Sequence, residues 1–511
     1  MKQTLNFAIV LSFLLAACSS TTATPLVTTK TPIPLKPTLI ESLTLTPSKT
    51  PIETLIPPIE TLSATRESVS QFSRAIQKAG INITVEQILQ QGLKIQSISG
   101  LNGKQYEIAT THLDPDPNQK GEALEGDYPL MFKMEKGEWE KAAFRSLADA
   151  GNISLAAPIK NQYLDKPGYA EIIKQNVNKV LITEDLSTLN VFRNFDRDTW
   201  QKVLDNWDEI KKQLDDGVVP SGYDYDWNSS KTVIDFAKKN NMAIKAQCLL
   251  FASDLPDAIF KSNFTPEQLS KILEFTVKVK ILQYKGQIQE WDVSDEALMN
   301  IVYMNADGNE LYGFWFRNLG GEQAIIDVAS WAKQADPSIK LVLTEDHVME
   351  QKFGNLQPHL NKDLFNFLKR VKQENVPIDG VDIENNLWIY NPPEKAYMKQ
   401  TLKQIADLGF YIATSEATIT TSEKHPTWYE QPAPPIKVTD PLKAQAALYQ
   451  ATLEAYLESG ANGFGFGDLS DQYSWLVQYH GDASAMVLDS SNNPKLAYYA
   501  ISRTILSYVT R

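Results

Sequence analysis

A (β/α)₈ TIM barrel of the α/β class is the fold this sequence predicts, preceded by a lipoprotein leader, a disordered Thr/Pro linker and a small mixed accessory region. Three observations carry the prediction. From about Asn152 onward, short apolar β-like runs alternate with longer stretches of helical period. Eight such runs fall within about 350 residues, which is what a closed parallel barrel requires. No glycine fingerprint for a dinucleotide accompanies them, so an open doubly wound sheet is the weaker alternative.

The leader comes first. Lys2 supplies a basic start, Phe7 to Leu15 an apolar run too short for a stable span, and Leu15-Ala16-Ala17-Cys18 a lipobox-like ending. Residues 1–18 therefore read as a lipoprotein signal peptide with Cys18 as the lipidated residue, in an exported protein held at the cell surface. Its only contact with a membrane would be that lipid. The other cysteine is Cys248, which leaves no disulfide framework and no cysteine-based metal site within the chain. Residues 19–65 are rich in Thr, Ser and Pro, cannot bury a core and read as an extended tether.

Residues 66–150 form a small accessory or capping region. Helix-like stretches occur near Ser70 to Lys78 and Val85 to Gln91, and strand-like ones at Lys94 to Ser99 and Tyr106 to Thr111. Residues 151–511 form the barrel. Its strands are expected at Ile153 to Pro158, Lys179 to Thr183, Met242 to Phe251, Gln287 to Val293, Lys340 to Thr344, Ile378 to Glu384, Phe410 to Glu416 and Gly460 to Gly467. Amphipathic helices are expected at Asn228 to Lys239, Pro266 to Gln283, Ala324 to Ala335, Lys362 to Gln373, Glu394 to Leu408 and Pro441 to Ser459.

The formal net charge of -13 argues against nucleic acid as a partner, because an acidic surface repels phosphates and releases no counterions. A neutral polysaccharide is indifferent to that charge. In a barrel of this kind the site lies where strands run into their following loops, and three strands end in acids. They read Trp291-Asp292-Val293-Ser294-Asp295-Glu296, Val381-Asp382-Ile383-Glu384 and Ala413-Thr414-Ser415-Glu416. Two acids on the fourth and seventh strands can meet across the barrel mouth. Glycoside hydrolysis needs such a pair, one carboxyl protonated and the other ionised.

At this point the motifs become recognisable. Trp291-Asp292-Val293-Ser294-Asp295-Glu296-Ala297 resembles the Trp-Asp-Val-x-Asn-Glu-Ala motif of glycoside hydrolase family 10, the xylanase family. Pro377-Ile378-Asp379-Gly380-Val381, Ser415-Glu416, Ser470-Asp471-Gln472-Tyr473-Ser474-Trp475 and Asn493-Pro494-Lys495-Leu496-Ala497-Tyr498 resemble further family segments in the same order. The resemblance implies a retaining endo-β-1,4-glycosidase acting on xylan or a related β-glycan, without metal or organic cofactor. It makes Glu296 the general acid/base and Glu416 the nucleophile. A monomer is expected.

Departures from the pattern are equally specific. The third strand reads Gln247-Cys248-Leu249-Leu250-Phe251-Ala252 where the family has His-Thr-Leu-Val-Trp-His. Asp295 replaces an asparagine, Glu384-Asn385-Asn386 replaces Gln-x-His, Glu184-Asp185 begins the segment that replaces Glu-Asn-x-x-Lys, and Gly467 aligns with a tryptophan. Glu184, Asp185, Gln247, Asp295, Glu384, Asn386 and Trp475 are the candidate substrate-binding residues. Asp295 and Glu384 add negative charge beside the pair. Trp388, Trp428, Tyr429, Tyr473 and Trp475 are candidate platforms for sugar faces. His347, in Glu345-Asp346-His347, is expected to make a supporting hydrogen bond. A cation held by Asp382, Glu384 and Asp295 can be imagined, but the spacing fits no calcium loop. The competing expectation is a glycan-binding lipoprotein whose barrel has lost turnover.

Overall fold

The computed structural model describes residues 74–75, 93–111, 128–134, 137–299, 301, 313–350, 357–423, 436–480 and 484–510. The leader, Cys18 and the tether lie outside these residues. So do Trp428, Tyr429 and, apart from the helical residues 74–75, the two helices expected before residue 92.

Four strands, β1 (Lys94–Ser99), β2 (Gln105–Thr111), β3 (Tyr128–Met134) and β4 (Glu140–Lys141), make an antiparallel sheet in chain order. The first two match the expected runs, whereas β3 and β4 were not foreseen. Tyr106, Ile108, Tyr128 and Phe132 of this sheet join the same buried cluster as the barrel. Tyr128 meets the ring of Tyr499, on the C-terminal helix Leu496–Val509, edge-on at 5.9 Å, and so ties the sheet to that helix.

The barrel consists of β5 (Ser154–Pro158), β6 (Lys179–Ile182), β7 (Ala243–Ala246), β8 (Glu290–Ser294), β9 (Lys340–Glu345), β10 (Gly380–Ile383), β12 (Tyr411–Ala413) and β14 (Gly463–Gly465). These are the eight expected runs. Neighbours in the sequence are neighbours in the sheet, every pair is parallel, and β14 returns to pair with β5. Across the remaining seam Gly465 N–H donates to Thr414 O at 2.6 Å. A Cβ at Gly465 would lie 2.7 Å from Ser415 O and 2.8 Å from Thr414 O, so only glycine lets the two backbones approach this closely.

Local chemistry sets the helix limits. Pro266–Gln283 starts with a capping box in which Thr265 and Gln268 satisfy each other's backbone, with Pro266 in the first turn. Pro441–Glu458 starts at Asp440, whose side chain accepts from Lys443 N. Both sit within a residue of their expected ends. Phe464 and Phe466, on one face of the eighth strand, pack against Tyr456, Tyr449 and Phe144. Between the sixth and seventh barrel strands and their loops lies an extra parallel pair, β11 (Asn385–Trp388) and β13 (Ala417–Thr420). The expected strand ends at Glu384 and Glu416 fall in the breaks between barrel strand and extension. Among the described residues no helix is long and apolar enough to cross a membrane.

Candidate active site

Glu296 lies two residues beyond the end of β8 in a left-handed backbone conformation, φ 48°, uncommon for a side chain of this size. The next residues, Ala297–Met299, form a single helical turn. The Leu298 and Met299 N–H groups donate to Glu345 at 2.9 and 3.4 Å, so a carboxyl at the end of β9 holds the turn that follows Glu296. Burial pushes the Glu296 carboxyl well above its ordinary pKa, and Asp346, Asp295 and Glu345 push the same way, with His347 opposing.

Glu416 lies between β12 and β13. Trp475 Nε1–H donates to its Oε1 at 2.6 Å and Thr418 Oγ1–H reaches the same atom at 3.4 Å. Its backbone is pinned on both sides: Asn385 N–H donates to Glu416 O at 2.6 Å, and Ser415 N–H donates to Asp382 Oδ1 at 2.5 Å. Burial raises the carboxyl to about 7, Asp346 and Asp295 contribute to the rise, and the two donors oppose it.

Glu384 sits between these corners. Burial raises its pKa most, followed by the charges of Asp295, Glu416, Asp346 and Glu296. Carboxyl oxygens of Glu296, Asp346 and Glu384 all lie within 4.8 Å of one another. Burial raises Asp295 to about 6, with Glu384 and Gln247 opposing the rise. Gln247 Nε2 bridges Asp295 and Glu384 at 3.2 and 3.5 Å. Asn386 Nδ2 performs a similar service between Asp346, 3.3 Å, and Glu384, 3.4 Å. Beneath the cluster the buried Lys245 ammonium pairs with Asp292 at 2.9 Å and with Asp382. Burial alone would neutralise that lysine, but the two carboxylates outweigh it and hold its charge.

Among the carboxyls gathered here, Glu296 and Glu416 stand just beyond the ends of the fourth and seventh barrel strands. The sequence matches the model of Glycosyl hydrolase family 10 over residues 145–504. The chain belongs to glycosyl hydrolase family 10. Endo-1,4-beta-xylanase B of Thermotoga neapolitana is 27% identical over 288 residues, covering 56% of this chain and 76% of that protein. A Beta-1,4-xylanase of Dictyoglomus thermophilum is 26% identical over 291 residues, 56% of this chain and 77% of the relative. The solved structure of xylanase 10B from Thermotoga petrophila RKU-1 with xylobiose superposes with a TM-score of 0.56 at 24% identity, covering 73% of this chain and all of that one, and supports the fold.

As a glycoside hydrolase of family 10, the chain keeps both expected glutamates and surrounds them with its own departures. Asp295, Gln247, Glu384, Asn386 and Trp475 join Glu296 and Glu416 in one network. Glu184 is exposed, and Asp185 accepts from Asn161 N–H at 3.0 Å. Gly467 has no room for the family's tryptophan: a Cβ there would collide with Thr418 Oγ1 and lie 2.9 Å from Glu416 Cγ. Two aromatic platforms are corrected by burial. Trp388 is packed away with its indole N–H on Ser422 O, and Tyr473 is buried against Tyr163 and Tyr169. The imagined cation triad is corrected as well, because Asp382 turns down to Lys245 and Ser415 instead of meeting Asp295. His347 makes its supporting contacts, Nδ1 to Glu350 at 2.9 Å and Nε2 to Asp346 at 3.3 Å. Burial would lower its pKa, yet those carboxylates raise it to about 10, which puts a cation beside Asp346. Sequence reasoning missed Glu345, Asp346, Thr418 and Lys245. The acidic pair at the end of the fifth strand was the available signal for the first two.

Proposed function

We propose that this family 10 hydrolase is a retaining endo-β-1,4-glycosidase acting on xylan or a related plant β-glycan, with Glu416 as nucleophile and Glu296 as general acid/base. Burial and the carboxyls of Asp346 and Asp295 raise both glutamates, and the difference in what opposes that rise carries the reading. An indole N–H and a hydroxyl donate to Glu416 and favour its ionised form, while burial and three neighbouring carboxyls favour the protonated form of Glu296. In the first step Glu416 attacks the anomeric carbon while Glu296 gives its proton to the departing oxygen. In the second, Glu296 takes a proton from water, which releases the sugar from Glu416 with its original configuration. Such a mechanism calls for carboxyl groups about 5–5.5 Å apart. Xylan is supported by what the similar proteins are named for. Export, a lipid on Cys18 and a monomeric state belong to the same proposal and rest on the leader sequence and the family pattern.

The test incubates purified protein with xylan, mixed-linkage glucan and aryl β-xylosides and follows the first anomer released by proton NMR. Release of the β-anomer, together with a fall on the order of 10²–10⁴-fold in kcat/KM on xylan for Glu296→Ala, is the expected result. Release of the α-anomer overturns the retaining mechanism, and no release from any substrate supports a glycan-binding protein instead.

A further inference from the structure

We infer that Glu345 is a positioning residue for the acid/base carboxyl, acting on Glu296 through the backbone N–H groups of the turn that follows it. The inference rests on the assignment of Glu296 as general acid/base and extends it.

Three observations support it. Glu345 is fully buried at the end of β9, the strand beside β8, and among the described residues it has no ion-pair partner. Its two oxygens are separately used, Oε2 by Leu298 N–H at 2.9 Å and Oε1 by Met299 N–H at 3.4 Å. Glu296 stands just before this turn with φ 48°, a conformation that a non-glycine residue keeps only when its surroundings over-determine it. A buried carboxyl without a counter-ion is unfavourable, and burial accordingly raises it to about 8. Capping a single N–H would need no more than an amide. Two oxygens in one plane, each met by one of two consecutive N–H groups, is an arrangement that a carboxyl makes and an amide, with one oxygen, does not. The same residue's carbonyl accepts Glu384 N–H at 3.0 Å, so the end of β9 fixes two members of the cluster at once.

If Glu345 aims Glu296, its loss should matter in proportion to how much the reaction needs a proton. A dinitrophenolate leaves without one, whereas an unsubstituted phenolate or a sugar does not. The experiment measures kcat/KM, which reports only the first bond-breaking step, for full-length wild type, Glu345→Ala, Glu345→Gln and Glu296→Ala on phenyl and 2,4-dinitrophenyl β-xylobiosides. A misplacement of the acid by about 1 Å is expected to cost on the order of 10²-fold on the phenyl substrate in Glu345→Ala. The dinitrophenyl substrate should change by less than about 3-fold, and Glu345→Gln, which keeps one acceptor, should fall between.

Equal losses on both substrates, in whichever Glu345 variant folds by circular dichroism, mean that Glu345 is structural only and overturn the inference. Unchanged kinetics in Glu345→Gln and Glu345→Ala overturn it too. Glu296→Ala separates the two claims: if it lacks the leaving-group dependence, the acid/base assignment fails, and if it shows the dependence while the Glu345 variants do not, only the positioning role fails.

Discussion

Glu416 receives an indole N–H and a hydroxyl, whereas Glu296 stands among Asp295, Asp346 and Glu345. Both corners nevertheless use one device. In each, a buried carboxyl from a neighbouring strand accepts backbone N–H groups next to the glutamate: Asp382 from Ser415 at one corner, Glu345 from Leu298 and Met299 at the other. The difference is in compensation. Lys245 neutralises Asp382, while Glu345 has no ion pair among the described residues. Compensated charge makes a rigid corner that tolerates an anion. At the Glu296 corner the cationic His347 is outweighed by burial and by Asp346, Asp295 and Glu345, so a further negative charge is unfavourable there and a proton is retained instead. The pair is thus differentiated by what surrounds each glutamate, although the two side chains are chemically identical.

The largest effect expected from breaking this comparison is at the compensated corner. Glu416→Ala should lower kcat on xylan on the order of 10⁵-fold, since no neighbouring group replaces a covalent nucleophile. A variant keeping a hundredth of the activity would place the nucleophile elsewhere in the cluster. Trp475→Phe removes the shortest donor without removing the carboxylate. A hydrogen bond to a charged group is worth about 1.5–3 kcal/mol, so the activity should fall roughly 10- to 100-fold at neutral pH. The sign in the pH profile is definite. Losing the donor destabilises the ionised form, raises the Glu416 pKa and moves the acid limb of kcat/KM toward higher pH, while the basic limb set by Glu296 stays in place. Movement of the basic limb instead would exchange the roles of the corners.

How much of this was legible beforehand varies with the range of the interactions involved. The helix at Pro266 could be placed because Thr265, Pro266 and Gln268 define its start locally. All eight barrel strands were found from apolar runs, but the seventh ends at Ala413 and gives way to β13, because the Gly465 seam and Asn385 draw the chain aside there. Strand β3 escaped because Tyr128 to Phe132 are all buried and show no alternation of period two. Glu296 and Glu416 stood out through motifs. Glu345 and Lys245 did not, because their partners lie 47 and 137 residues away. Tryptophans show the same limit: Trp388 and Trp475 look equivalent as letters, and only the fold makes one a core residue and the other a donor to Glu416.

The smallest effect belongs to the carboxyl cluster as a whole and concerns stability. Asp295 at about 6, Glu416 at about 7 and Glu345 at about 8 are all raised above the roughly 3.9 and 4.3 of unfolded Asp and Glu. Between those limits the folded chain binds more protons than the unfolded one, so the slope of unfolding free energy with pH is negative. The contribution is complete below about pH 4 and is lost as pH rises through 6 to 8. The substrate-free enzyme should therefore melt at a higher temperature at pH 5 than at pH 8. Asp295→Asn takes one of these groups out while leaving Gln247 an oxygen to donate to, and so should flatten the decline by at most about 3 kcal/mol, with the gain visible at pH 8 and nearly absent at pH 4. Calorimetric melts of both proteins across that range decide the matter. A wild type that grows more stable toward pH 8 would mean that the carboxyls of this cluster, those around Glu296 included, are ionised and compensated after all, and the contrast between the two glutamates would lose its physical basis.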